Sequence, residues 1–107
     1  MKRFPMRALF DHLHIPGPDL LLRDFGRQAF PLLEQVLQEV LPGHSLHLSF
    51  EGISVMDTSF ADETVLKLAL GLVSQQYGDR FLILEHSSPA TIDNLEGAIA
   101  RRKAKIA

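Results

Sequence analysis

Residues 45–60 read Ser45-Leu46-His47-Leu48-Ser49-Phe50-Glu51-Gly52-Ile53-Ser54-Val55-Met56-Asp57-Thr58-Ser59-Phe60, and within them the chain passes from a strand to a helix. Leu46, Leu48 and Phe50 alternate with His47 and Ser49, the period-two pattern of an extended segment with one buried face. Glu51-Gly52 predicts a turn, and residues 53–56 a short apolar approach to a helix opening near Phe60.

Working toward the C-terminus, the pattern predicts a helix over residues 60–76. Its polar face holds Glu63, Lys67, Gly71, Ser74 and Gln75; Val65, Leu66, Leu68, Ala69, Leu72 and Val73 form an apolar face wide enough to be buried on a sheet. Tyr77-Gly78-Asp79 closes that helix. The unbroken apolar run 81–84 then predicts a central strand covered on both faces. Ser88 and Pro89 have the chemistry of an N-cap and first helical residue, so a third helix follows, with Ile92, Leu95 and Ile99 as its buried stripe. Asp93 and Glu96 lie early in it and Arg101, Arg102 and Lys103 late, which matches the helix dipole.

Toward the N-terminus, Phe30, Leu33, Leu37 and Val40 recur at helical spacing and predict a helix over 26–41, stopped by Pro42-Gly43. Pro31 either marks its true start or kinks an earlier turn. Residues 1–20 are the least readable part: a strand over 4–10 and a turn at Pro16-Gly17-Pro18-Asp19, with 20–22 returning as a second short strand. Alternating helices and strands imply right-handed crossovers, and so an α/β fold. Its expected form is a small mixed but largely parallel sheet of about four strands with about three helices against it.

Composition narrows the function classes. A chain of 107 residues, 46% hydrophobic and 22% charged, suits one globular domain spanning residues 1–107. The net charge of −2 argues against general nucleic-acid affinity, which needs clustered positive charge. With no cysteine, disulfides and thiolate chemistry are excluded. No apolar run reaches the roughly 20 residues that span a bilayer, and Asp11 and His12 interrupt the basic N-terminal stretch before it resembles a signal peptide. A cytoplasmic protein with no membrane contact is expected. Asp11-His12-Leu13-His14 could supply two ligands if extended, since alternate residues share a face, but no third lies at a diagnostic spacing; His44, His47 and His86 are scattered, so neither metal nor cofactor is expected. The basic tail reads as a solvated helix end.

Chemistry concentrates in residues 55–63, where two hydroxyls and three carboxylates gather at a strand-to-helix passage. In open α/β sheets such places form working surfaces. Ser59 with Asp62 has capping-box spacing, and Glu63 sits four residues before Lys67 at the favourable ion-pair interval. With Ser59 as cap, Thr58 falls just outside the helix with no structural duty. Asp62 and Glu63 are neighbours on a helix and point about 100° apart, so they cannot flank one substrate. No glycine-rich phosphate loop or serine elbow is present. The expectation is a non-catalytic docking surface of Asp57, Thr58, Asp62, Glu63 and Lys67. The alternatives are a constitutive homodimeric scaffold or an enzyme using the Asp57–Thr58 loop on a small substrate.

The string Glu51-Gly-Ile-Ser-Val-Met-Asp57-Thr58-Ser59 resembles the strand–loop–helix signature of STAS domains, the fold of sulphate-transporter tails and anti-sigma-factor antagonists. Phe50-Glu-Gly-Ile together with Thr58-Ser-Phe-Ala-Asp-Glu63 is similar to a STAS-like bacterial family of unknown function, as is the helix entry Arg23-Asp-Phe-Gly-Arg27. The resemblance covers roughly residues 20–103. It implies a regulatory domain that binds a histidine-kinase-type ATPase, acting as anti-sigma factor or serine/threonine kinase. It further implies Thr58, ahead of Ser59, as the phosphorylation site. Where antagonists carry small residues, this chain has Phe60, which is expected to pack inward.

Overall fold

The computed structural model describes residues 1–106, with side chains through Arg101. Three strands, β1 (Lys2–Pro5), β2 (Ser45–Ser49) and β3 (Phe81–Glu85), form one sheet in the order β1-β2-β3, both pairs parallel. Five helices accompany them: α1 (Ala8–Leu13), α2 (Arg23–Gln38), α3 (Thr58–Glu63), α4 (Val65–Val73) and α5 (Pro89–Ile106). The α/β class and the parallel sheet agree with the sequence reading; the counts of strands and helices differ.

The register assigns the faces. Phe4, Leu48 and Leu84 stand side by side across the three strands, as do Arg3, His47 and Ile83. Partners in register share a face, because side chains alternate along each strand. Leu46 and Leu48 are fully buried, and Phe4, Leu82 and Leu84 pack against the same core, which α2 completes with Ala29, Leu33, Val36 and Leu37. The opposite face carries Arg3, His47 and Glu85 with the exposed Phe81 and Ile83.

Several expectations are corrected. Residues 4–10 are not one strand: β1 ends at Pro5, and Leu9 reaches the core from α1. Residues 20–22 make only a single parallel bridge, Leu20 with Met56, before the positive φ of Leu22 turns the chain into α2. Of the two readings of Pro31, the one with helical turns ahead of it holds, because α2 starts at Arg23; the helix expected over 26–41 runs instead from Arg23 to Gln38. The run 81–84 is an edge strand, because the N-terminal β1 takes the other side of β2.

The helix expected over 60–76 is two helices. Thr64 breaks it with φ −122° and ψ −86°. Its buried hydroxyl donates back to the Phe60 carbonyl at 2.8 Å, a bond that competes with the regular ladder. Gly71, expected on the polar face, is buried where an added methyl would strike the Tyr77 ring. Val73, expected on the apolar face, is exposed. In α5, Leu95 and Ala98 are buried while Ile92 and Ile99 are exposed, since α5 packs mainly on α3 instead of lying flat on the sheet. Ser88 does cap α5, accepting from the Thr91 N–H at 3.2 Å. The side chains of Arg102 and Lys103 lie outside the described residues.

Candidate functional site

The segment between β2 and α3 leaves the sheet at its carboxyl edge and is tied down on both sides. Leu20 N–H donates to the Val55 carbonyl at 2.9 Å, and Asp57 N–H donates to the Leu20 carbonyl at 3.0 Å. From α5, the Thr91 hydroxyl accepts from Met56 N–H at 3.0 Å and the Asn94 amide donates to the Met56 carbonyl at 2.9 Å. Ser88 adds a bond to the Ser54 carbonyl at 2.8 Å. Neighbours on both flanks thus hold the backbone before α3 in one conformation.

Asp57, not Ser59, is the N-cap of α3. Its backbone is extended (φ −76°, ψ 169°), one carboxylate oxygen accepts from Phe60 N–H at 2.7 Å, and the other accepts from Leu22 N–H at 3.0 Å. The Ser59–Asp62 capping box therefore does not form. Aspartate is as good a cap as serine, and the extended backbone at Asp57 moves the helix start two residues earlier than Phe60 implied. Thr58 and Ser59 become the first two helical residues, both half-buried. The Thr58 hydroxyl makes no hydrogen bond among the described residues. Phe60 packs inward, as expected, and is fully buried.

The acidic pair has separate circumstances. Glu63 is buried, with its side chain 8% exposed, and is surrounded by cations. Arg23 Nη1 lies 2.7 Å and Arg27 Nε 3.7 Å from its Oε1, and Lys67 Nζ lies 2.7 Å from its Oε2. The bond from Lys67, and next that from Arg23, hold its carboxyl below the usual carboxylate range against the opposing effect of burial. Asp62 shares Arg23 Nη1 at 3.0 Å. Lys67 also stands 5.5 Å above the Phe30 ring. The Glu63–Lys67 pair follows from the sequence interval. Arg23 and Arg27 do not, because they lie about 40 residues away and reach the site only through the contact of α2 with α3. Gly26 makes that contact possible: a methyl there would crowd the Phe60 backbone and the Glu63 side chain.

Of the five expected docking residues, Lys67 is exposed, Asp57, Thr58 and Asp62 are half-buried, and Glu63 lies beneath its cations. All five sit on α3 and α4 or at the α3 cap. Asp11 and His12 fall on a helix and His14 at its left-handed end, not on one extended face. Among the described residues no three His, Asp or Glu side chains are placed to hold a metal ion. An apolar groove of about 410 Å³ lies elsewhere, between α4, β3 and α5, and neither Asp57 nor Thr58 lines it. Among the described residues no helix is long and apolar enough to cross a membrane.

Comparison gives no match. No family model, no curated protein and no solved structure matches the chain.

Proposed function

We propose that this chain is a non-catalytic, STAS-like regulatory domain of the cytoplasm that docks onto a protein partner through the first turns of α3 and α4. The observation that carries the reading is the position of Thr58. It is the first residue of α3, half-exposed at the carboxyl edge of a parallel sheet, with its backbone fixed by Asp57. Both Asp57 oxygens are engaged, one capping α3 and the other on Leu22 N–H, so the turn is held while the Thr58 hydroxyl is not consumed by the fold.

Thr58 and Asp62 are four residues apart on α3 and share a helix face, and Lys67 extends the polar surface onto α4. Glu63 supports this surface from below by fixing Arg23 and Lys67. A phosphate on Thr58 adds about −1.5 to −2 charges beside Asp57 and Asp62. Repulsion there changes the surface that a partner meets, which is the basis of a switch. The resemblance to antagonist STAS domains supplies the partner class, a histidine-kinase-type ATPase with serine/threonine kinase or anti-sigma activity.

The test is incubation with such an ATPase and ATP, followed by mass spectrometry and a binding titration. Addition of one phosphate that Thr58→Ala abolishes, and weaker binding by Asp62→Lys at unchanged circular dichroism, are the expected results. Binding that survives Asp62→Lys together with an unmodified Thr58 refutes the reading.

A further inference from the structure

The two edges of the sheet are unlike. β1 carries Lys2, Arg3 and Pro5, the residues that discourage edge-to-edge pairing, since charge keeps its water and proline has no N–H to offer. β3 reads Phe81-Leu82-Ile83-Leu84-Glu85 and has no such guard before its last residue. Phe81 N–H donates to the His44 carbonyl, and the Glu85 carbonyl accepts from Phe50 N–H, so the odd-numbered residues bond toward β2. Strand alternation then turns the N–H and C=O groups of Leu82 and Leu84 outward.

Apolar side chains gather at the same edge. Phe81 is 53% exposed, Ile83 42%, Val73 of α4 81% and Ile99 of α5 42%. A standard interface buries about 800 Å² per partner, more than half of it apolar, and these side chains supply apolar surface on both faces of the β3 edge.

We propose that β3 is a dimer edge, on which a second copy of this chain lays its own β3 antiparallel about a two-fold axis through Ile83. The register makes the contact self-complementary, as a two-fold interface requires. Leu82 of each copy exchanges both backbone bonds with Leu84 of the other. The two Ile83 side chains meet at the closely spaced, non-hydrogen-bonded position. Phe81 faces Glu85, so no like charges oppose one another. The result is a continuous sheet with three strands from each copy. This surface lies on a different element from Thr58, so it stands or falls separately from the docking reading.

Analytical ultracentrifugation across a wide concentration range is expected to show a monomer–dimer equilibrium. Ile83→Lys weakens it at least about tenfold, because two ammonium groups are forced together at the closest pair. The chain has no cysteine, so Ile83→Cys gives a single reporter. Its Cα atoms are expected about 4.5 Å apart, within disulfide range, and mild oxidation should yield a covalent dimer. Ser74→Cys, exposed beyond α4, should form no covalent dimer under the same oxidant. A wild-type chain that stays monomeric, or a dimer that Ile83→Cys does not trap, overturns the proposal. If Ile83→Lys fails to fold, the cysteine pair decides alone.

Discussion

Glu63 combines two properties that local sequence does not join: it is acidic, and it is buried. Removing one partner from a buried ion pair leaves the others uncompensated, whereas partly exposed cations can rehydrate. Arg23 and Lys67 are both partly exposed, so Glu63→Gln is expected to cost about 1–3 kcal/mol, less than the roughly 3–5 kcal/mol of a fully buried pair. Chemical denaturation checks this, and a change below about 0.5 kcal/mol, the scale of ordinary surface substitutions, contradicts it. The Lys67 half of the arrangement was legible, since an i,i+4 interval is a property of any helix. The Arg23 half was not, because nothing in residues 58–67 encodes which side chains α2 will bring.

At the scale of elements, the passage from β2 to α3 shows why boundaries were misread although the elements were foreseen. Both Asp57 and Ser59 have cap chemistry, and Ser59 is followed by an acid three residues on. The choice fell to Asp57 because Leu20 fixes its backbone as extended and Leu22 N–H engages its second oxygen. Asp57→Ala is therefore expected to lose about 2 kcal/mol, a cap plus an orphaned N–H. Ser59→Ala is expected to stay within about 0.5 kcal/mol. Thermal unfolding of the two variants side by side checks this, and a larger loss at Ser59 reverses the assignment. The break at Thr64 was likewise missed: its buried hydroxyl bonds back to the Phe60 carbonyl, and a threonine within an apolar run gives no period-breaking signal.

Across the whole molecule, one charged cluster ties the three strands together. Arg3 of β1 forks onto Glu85 of β3 with bonds of 2.8 and 3.2 Å, and His47 of β2 stands between them with Nδ1 3.2 Å from the Glu85 carboxylate. The hydrogen bond from Arg3, and next that from His47, lower the Glu85 carboxyl from 4.5 to about 2. A carboxyl depressed in the folded state stabilises it fully above the unfolded value, and that contribution is lost as pH falls through the folded one. The melting temperature is therefore expected to drop between pH 4.5 and about 2, with Glu63 adding in the same direction. Arg3→Met should flatten part of that fall. An equally steep acid limb in the variant removes Glu85 as its cause.

Periodicity and punctuation alone determined that this chain is α/β, that residues 45–49 and 81–84 lie in strands, and that helices lie between and after them. Those signals are local, because a strand repeats every two residues and a helix every 3.6 whatever surrounds them. Tertiary structure alone decided that β1 takes the far side of β2, leaving β3 on an edge, that Asp57 and not Ser59 caps α3, and that Glu63 lies under Arg23. Each of these depends on which distant segment arrives alongside, and that is settled by competition for a shared core.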